Sequence, residues 1–390
     1  MLSCDGVPPL RSPRPAQAEG IVYWTRGSVT RQAHVDLPAG TVEEEYAREG
    51  FSGRATHLYR ARPPVDWTSI EGDLRPEALD TARLPADAGD DWLAARTDLL
   101  VNEDVRVGFA RLARPMTACF RNADADEILF VHEGAGHLET DFGVITFRRG
   151  HYLVIPRGTV YRVHPVEPAA FLVIATAGEV TVPERGILGQ HALFDPAALD
   201  VPEPAPLPDA DRPWRLQVLR RGRVTTVTYP HHPITTVGWR GELTVWRLHL
   251  DDIRPVASER YHLPPTAHVT WVARDVVVCS FLPRPLETGD PGALKVPFFH
   301  ANIDYDEVLF YHDGSFFSRE GIDAGMLTFH PQGLHHGPQP GAVQAAADKT
   351  RTDERAVMID TRRPLDLTDA ARAVASPHYW RSWTAPEARS

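Results

Sequence analysis

Residues 297–341 read PFFHANIDYDEVLFYHDGSFFSREGIDAGMLTFHPQGLHHGPQPG. This stretch holds His300, Glu307 and His336, and the apolar run Val308, Leu309 and Phe310 follows the acid directly. A short apolar run bounded by turn residues reads as a buried strand. Two imidazoles and one carboxylate form the set that grips non-haem Fe(II) on one face and leaves the other face open. Successive strand residues point to opposite sides, so only one of Asp306 and Glu307 can face such an ion.

Working outward, the same text occurs twice. Residues 119–134 read CFRNADADEILFVHEG and residues 299–314 read FHANIDYDEVLFYHDG. Asn122, Asp126, Glu127, His132 and Gly134 match Asn302, Asp306, Glu307, His312 and Gly314. Further on, Gly150, Pro156 and Gly158 match Gly325, Pro331 and Gly333. A repeat of this kind means two copies of one structural unit. The two-part pattern, an acid before a glycine turn and then G-x5-P-x-G-x2-H from Gly325 to His336, resembles the paired signature of the cupin barrel. The resemblance implies a mainly β bicupin, two tandem double-stranded β-helix barrels with an N-terminal wrapping segment. One strand then supplies His300 and Glu307, and the proline–glycine turn returns His336 beside them. The cupin interval to Gly314 favours Glu307 as the ligand, with Asp306 the competing acid.

The differences between the copies carry the functional information. Phe120 stands where the second copy has His300, and Tyr161 stands where it has His336. Glu127 without imidazoles cannot hold a transition metal, so the first barrel is expected to be metal-free scaffolding. His132/His312 and Asn122/Asn302 occur in both copies, which favours hydrogen bonding at turns or strand ends for them.

Composition bounds the rest. The chain has 390 residues, too many for one simple core, and its 43% apolar and 24% charged content reads as a soluble globular protein. A net charge of −11 argues against nucleic acid and anionic membrane as partners. Thirty-five prolines and 28 glycines favour short strands and turns. Cys4, Cys119 and Cys279 lie far apart without CxxC spacing, which excludes a disulfide framework and points to a reducing interior. No secretory leader or bilayer-spanning run is read, so a cytoplasmic location is expected.

In chain order, 1–20 reads as a loose arm, 21–194 as the N-terminal unit without metal, 195–214 as a Pro/Ala-rich solvated connector and 215–390 as the iron-holding unit. Residues 67–95 read as an exposed acidic excursion with room for a short helix. Strands are expected at 99–101, 105–111, 223–228 and 243–250. A helix is expected over 368–375, capped by Thr368, and the aromatic 378–383 should pack on the barrel or a neighbouring subunit.

The stretches VGWRGELTVWRL (237–248), HLPP (262–265), PFFHANIDYDE (297–307) and LTFHPQGLHHGP (327–338) together resemble homogentisate 1,2-dioxygenase, a family of Fe(II) bicupins that open a dihydroxylated ring with O2. The resemblance implies that His300, Glu307 and His336 are the iron ligands and that His262 handles the substrate's hydroxyl proton. It also implies that His330 stands near the open iron positions, and that the chain assembles as trimers or hexamers. The sequence departs from the family at Ala301, where arginine is usual, and at Phe298–Phe299, where tyrosine is common. One extra residue lies in the loop at 303–306. These changes leave the ligand set intact and alter the pocket walls.

From the residues alone, His262 also reads as a turn histidine before Leu263-Pro264-Pro265, and His268 is a weaker candidate base. His231, His232 and His335 read as loop polar groups, His335 with a further option of bonding to the site. Two rival functions remain: another metal-dependent bicupin enzyme, such as a gentisate-type dioxygenase or sugar isomerase, and a non-catalytic binding bicupin. The three intact candidate ligands favour an enzyme over the binding protein, and the carboxylate counts against the gentisate type.

Overall fold

The structure, a computed structural model, describes residues 24–85, 89–206, 211–295, 298–316, 319 and 321–384. The expected N-terminal arm lies outside them. The runs EILFV and EVLFY become central strands, Asp126–Glu133 and Asp306–Asp313, buried on both faces. Strand alternation explains why both are apolar throughout. Leu129 and Val131 fill the interior of the first barrel, while Ile128 and Phe130 face outward. In the second copy Leu309 and Tyr311 turn inward, and Val308 and Phe310 face outward. The outward residues of both copies meet in one core cluster, so the two barrels share the largest buried apolar layer, with Phe130 and Phe310 at 6.2 Å.

Among the described residues the first barrel is built from two sheets. One runs Trp246–His249, His151–Ile155, Asp126–Glu133, Ala169–Thr176, Val105–Leu112, Arg96–Val101 and Asp366–Leu367 in order of pairing. The other runs Arg223–Tyr229, Trp214–Arg220, Cys119–Asn122, Val160–Pro165, Ala135–Thr140 and Gly143–Arg148. The second barrel's main sheet runs Val269–Ala273, Val276–Phe281, Arg355–Thr361, Asp306–Asp313, Met326–His330 and Glu77–Asp80. The mainly β cupin architecture expected from the repeat is the one the chain adopts.

Strands are traded across the expected divisions. Trp214–Arg220 pairs in parallel with Cys119–Asn122, and Trp246–His249 pairs with His151–Ile155, so both extend sheets of the first barrel. In return Glu77–Asp80, expected within an exposed excursion, is a buried edge strand of the second barrel against Met326–His330. The short helix of that excursion forms at Trp92–Ala95, capped by Asp91, and Trp92 is buried. Within the expected connector, Glu203 bridges to Val144 and Asp200 to Arg247, so that stretch lies against the first barrel. The expected strand at 243–250 shortens to Trp246–His249 and passes into a 3-10 turn at Leu250–Asp252. The C-terminal helix Asp369–Val374 begins where its cap predicts, with the Thr368 hydroxyl accepting from the Ala371 amide.

The N-terminal wrapping segment forms a hairpin, Val42–Ala47 with Ala55–Arg60, and Val42–Ala47 lies parallel to Phe299–Asn302. The loop with the extra residue receives it: Asp304 accepts from the Arg48 guanidinium at 2.8 Å and from the Glu49 amide at 2.9 Å. Cys119 and Cys279 are free and buried. Among the described residues no helix is long and apolar enough to cross a membrane.

Candidate metal centre

His300 and His336 sit directly opposite each other in an antiparallel bridge. Each backbone amide donates to the other's carbonyl at 2.9 Å, which brings the rings to 4.0 Å between centroids. Gly337 lets the turn that carries His336 approach so closely. Its φ is +147°, and a Cβ there would meet Phe299 Cα at 2.9 Å. Each imidazole turns its Nδ1 toward the carbonyl two residues back, His300 to Phe298 at 3.2 Å and His336 to Leu334 at 3.4 Å. An Nδ1–H held by a carbonyl fixes the tautomer and leaves Nε2 with a lone pair.

Both Nε2 atoms are buried and have no hydrogen-bond partner. They face Glu307 Oε2 at 3.7 and 3.6 Å, too far for hydrogen bonds. The donor atoms of His300, Glu307 and His336 all lie within 4.8 Å of one another. Buried polar atoms left unpaired are costly. Two such nitrogens converging on one carboxylate oxygen fit a divalent transition metal such as iron.

The electrostatics agree with this donor set. Burial, followed by the nearby His300, pushes the His336 imidazole down to about 3, so it is neutral near pH 7. Burial alone would raise Glu307, but His336, His300 and His330 outweigh it and hold the carboxyl well below the usual range. Asp360, directly across the sheet from Glu307, is pushed well above its usual value by burial and by the charges of Glu307 and Asp306.

His330 is the cross-strand partner of Glu307. Its Nδ1 lies 2.7 Å from Glu307 Oε1 and its Nε2 lies 3.1 Å from the Tyr379 hydroxyl. It is fully buried, stacks on His336 at 4.8 Å and is not among the residues lining the cavity. His330 thus stands beside the carboxylate on the same face of the sheet, bonded to its Oε1. The aromatic 378–383 segment, as a 3-10 turn Tyr379–Trp383, seals this side, with Trp383 Nε1 donating to the Gly337 carbonyl at 3.1 Å.

Asp306 faces away. Its two oxygens accept from the amides of Gln332 and Leu365 at 2.8 and 2.6 Å, and Asp126 does the same for Arg157 and Val180 at 2.8 and 2.9 Å. The acid shared by both copies is a loop staple. His335 turns to Glu44, with its Nε2 at 2.9 Å from Oε1. His132 and His312 meet across the two barrels, Nδ1 to Nδ1 at 2.9 Å.

His262 lines the cavity that opens on His300 and Glu307, together with Phe51, Leu263, His268, Phe298, Leu309, Arg319 and Met358. Its Nδ1 lies 3.0 Å from Glu287 Oε1. Sequence reading missed Glu287, for nothing in PLETGD marks it out; only the fold brings it to His262. Among the described residues, a separate open groove lined by Val182, Arg185, Phe194 and Leu199 has no such convergence of imidazoles and carboxylate.

The equivalent place in the first barrel is filled by protein. Tyr161 donates its hydroxyl to Glu127 Oε2 at 2.7 Å, while Asn122 Nδ2 and Arg96 Nη1 approach Oε1 at 3.0 and 2.6 Å. Trp92 Nε1 donates to the Tyr161 hydroxyl at 2.9 Å. Arg96 was invisible in the repeat because it comes from a strand outside it. It supplies the positive charge that Glu127 needs.

A family model described as homogentisate 1,2-dioxygenase N-terminal matches residues 88–250. A protein of Saccharolobus solfataricus, provisionally named a dioxygenase, is 33% identical over 386 residues, covering 93% of this chain and 99% of that protein. The chain belongs to the homogentisate 1,2-dioxygenase family. The homogentisate 1,2-dioxygenase of Rhodopseudomonas palustris strain CGA009 is 27% identical over 297 residues, covering 69% of this chain and 63% of that enzyme. The match therefore spans less than two thirds of that family member's length. Among solved structures, Bacillus subtilis oxalate decarboxylase aligns with 12% identity and a TM-score of 0.36, covering 77% of this chain and 79% of that one.

Proposed function

We propose that this chain is an Fe(II)-dependent extradiol-type dioxygenase that opens a dihydroxylated aromatic ring of the homogentisate type. The observation that carries the reading is the convergence of two unpartnered, buried imidazole Nε2 atoms on one Glu307 oxygen at the floor of a cavity. His300, Glu307 and His336 would hold the iron. When bound, iron supplies open positions for the ring's hydroxyl and for dioxygen and lets the two react in steps.

The protein's own groups do the rest. His330 holds Oε1 of Glu307, which leaves Oε2 for the metal. Glu287 accepts the Nδ1–H of His262, so Nε2 is the basic nitrogen that takes a proton from the substrate hydroxyl. Phe51 and Phe298 offer aromatic faces to the ring, and Leu309 and Met358 keep that wall apolar. Phenylalanine at 298 and alanine at 301 make the walls differ from those usual in the family, so the ring substituents need not be those of homogentisate.

Oxygen uptake by iron-loaded protein across a panel of hydroquinones and catechols, homogentisate included, tests the reading. Ring opening of at least one, with about one iron per chain, is expected. Iron at that stoichiometry with no uptake on any ring would overturn it.

A further inference from the structure

A second imidazole–carboxylate cluster lies on the first barrel, away from the cavity. The strands Ala135–Thr140 and Val160–Pro165 pair antiparallel, with Leu138 opposite Val163, His137 opposite His164, and Glu139 opposite Arg162. Leu138 and Val163 are fully buried in the barrel interior. Alternation along the strands therefore sends His137, Glu139, Arg162 and His164 together to the outer face.

On that face the two imidazoles stack at 4.5 Å between centroids with planes 16° apart. His137 Nε2 is 3.7 Å from Glu139 Oε1, and donor atoms of His137, Glu139 and His164 all lie within 4.8 Å of one another. The His137–Glu139 approach is longer than an ordinary hydrogen bond. The carboxylate is already oriented: Arg162 Nη1 holds Oε2 at 2.9 Å, and the guanidinium rests over the Trp214 ring at 5.0 Å. Glu139 Oε1 is left facing the rings. The His137 side chain is 30% exposed, so the cluster is open to solvent on one side.

From this arrangement we propose a second metal site, His137, Glu139 and His164, that takes a divalent transition ion of the zinc class. Two imidazoles and a carboxylate are the ligands zinc favours, with solvent completing the shell. Zinc–nitrogen bonds of about 2.0–2.1 Å in a tetrahedron set donor atoms roughly 3.3 Å apart. The three donor atoms, now within 4.8 Å of one another, draw in to that distance when the two stacked rings turn toward Glu139. His164 suits the role, for burial and then Arg162 and His137 lower its affinity for a proton. Bound metal would clamp two neighbouring strands of the first barrel. The cost is the nearby Arg162, whose charge its ion pair with Glu139 offsets.

The test is zinc stoichiometry of the full, metal-stripped chain, measured by calorimetric titration and elemental analysis. His164→Gln is expected to bind one zinc per chain fewer than the wild type, and Glu139→Gln to bind that ion at least tenfold more weakly. Oxygen uptake after iron loading should be unchanged in His164→Gln. His336→Ala should keep the outer zinc, which separates the two sites. His137→Gln serves as a second ligand variant if His164→Gln does not fold. Equal zinc stoichiometry in the wild type and in either histidine variant at 137 or 164 would overturn the assignment.

Discussion

Arg96→Met should destabilise the protein although Arg96 touches no substrate and no metal. The guanidinium is 2.6 Å from Glu127 Oε1, and the two side chains are 12% and 1% exposed. Removing one member of a buried ion pair leaves an uncompensated charge and typically costs about 3–5 kcal/mol. Tyr161 and Asn122 still donate to Glu127 in the variant, which places the expected loss at the lower end, about 3 kcal/mol. The double variant Arg96→Met, Glu127→Gln removes both charges at once. An amide of the same shape keeps an acceptor for Tyr161, so most of the loss should be recovered, to within roughly 1–2 kcal/mol of wild type. Urea unfolding of the three proteins at pH 7, with iron content measured in each, reads both values. If the single and double variants are equally destabilised, the charge of Glu127 is not what Arg96 balances. If Arg96→Met is neutral, the view that a guanidinium replaces the ion in this barrel fails.

The remaining predictions concern the site and the assembly. His300→Ala and His336→Ala should each lose iron loading while keeping the far-ultraviolet circular dichroism of the wild type; stoichiometric iron in either contradicts the ligand assignment. His262→Phe should keep iron and slow turnover by roughly 10²–10⁴-fold, a loss that shrinks at high pH where substrate hydroxyls ionise unaided; full activity at neutral pH would remove it as the base. Burial, then neighbouring cations or the partner ring, pushes His132 and His312 down to about 4 and about 3. Both are neutral when folded, whereas in the unfolded chain they take up protons near 6.5. Their contribution is therefore complete above that pH and fades as pH falls through 6.5 toward 4 and 3, by on the order of 3 kcal/mol for His132 and about 5 kcal/mol for His312. Urea stability that stays flat between pH 7 and 5 would disprove this. Small-angle scattering at micromolar concentration should return a trimeric or hexameric mass, and a monomeric mass would count against assembly.

What the sequence determined is what the repeat carries. The repeated text at 119–134 and 299–314, with the shared Gly, Pro and Gly spacing that follows each copy, identifies two copies of one unit, and Phe120 and Tyr161 against His300 and His336 separate the barrel with a candidate metal set from the one without. The strand can turn only one of two adjacent acids inward, and the interval of the resembled cupin signature to Gly314 favours Glu307 over Asp306. The tertiary structure decided everything that depends on partners distant in the chain. Glu287 reaches His262 across 25 residues, Arg96 reaches Glu127 from a strand outside the repeat, and His132 finds His312 at a separation of 180. The same holds for strand ownership: Glu77–Asp80 belongs to the sheet of the second barrel, and Trp214–Arg220 to the first. Local pattern fixes which face of a strand is buried, because that depends only on backbone geometry. Which element covers that face, and which side chain meets a buried charge there, is set by chain closure in three dimensions, and adjacent residues hold no record of it.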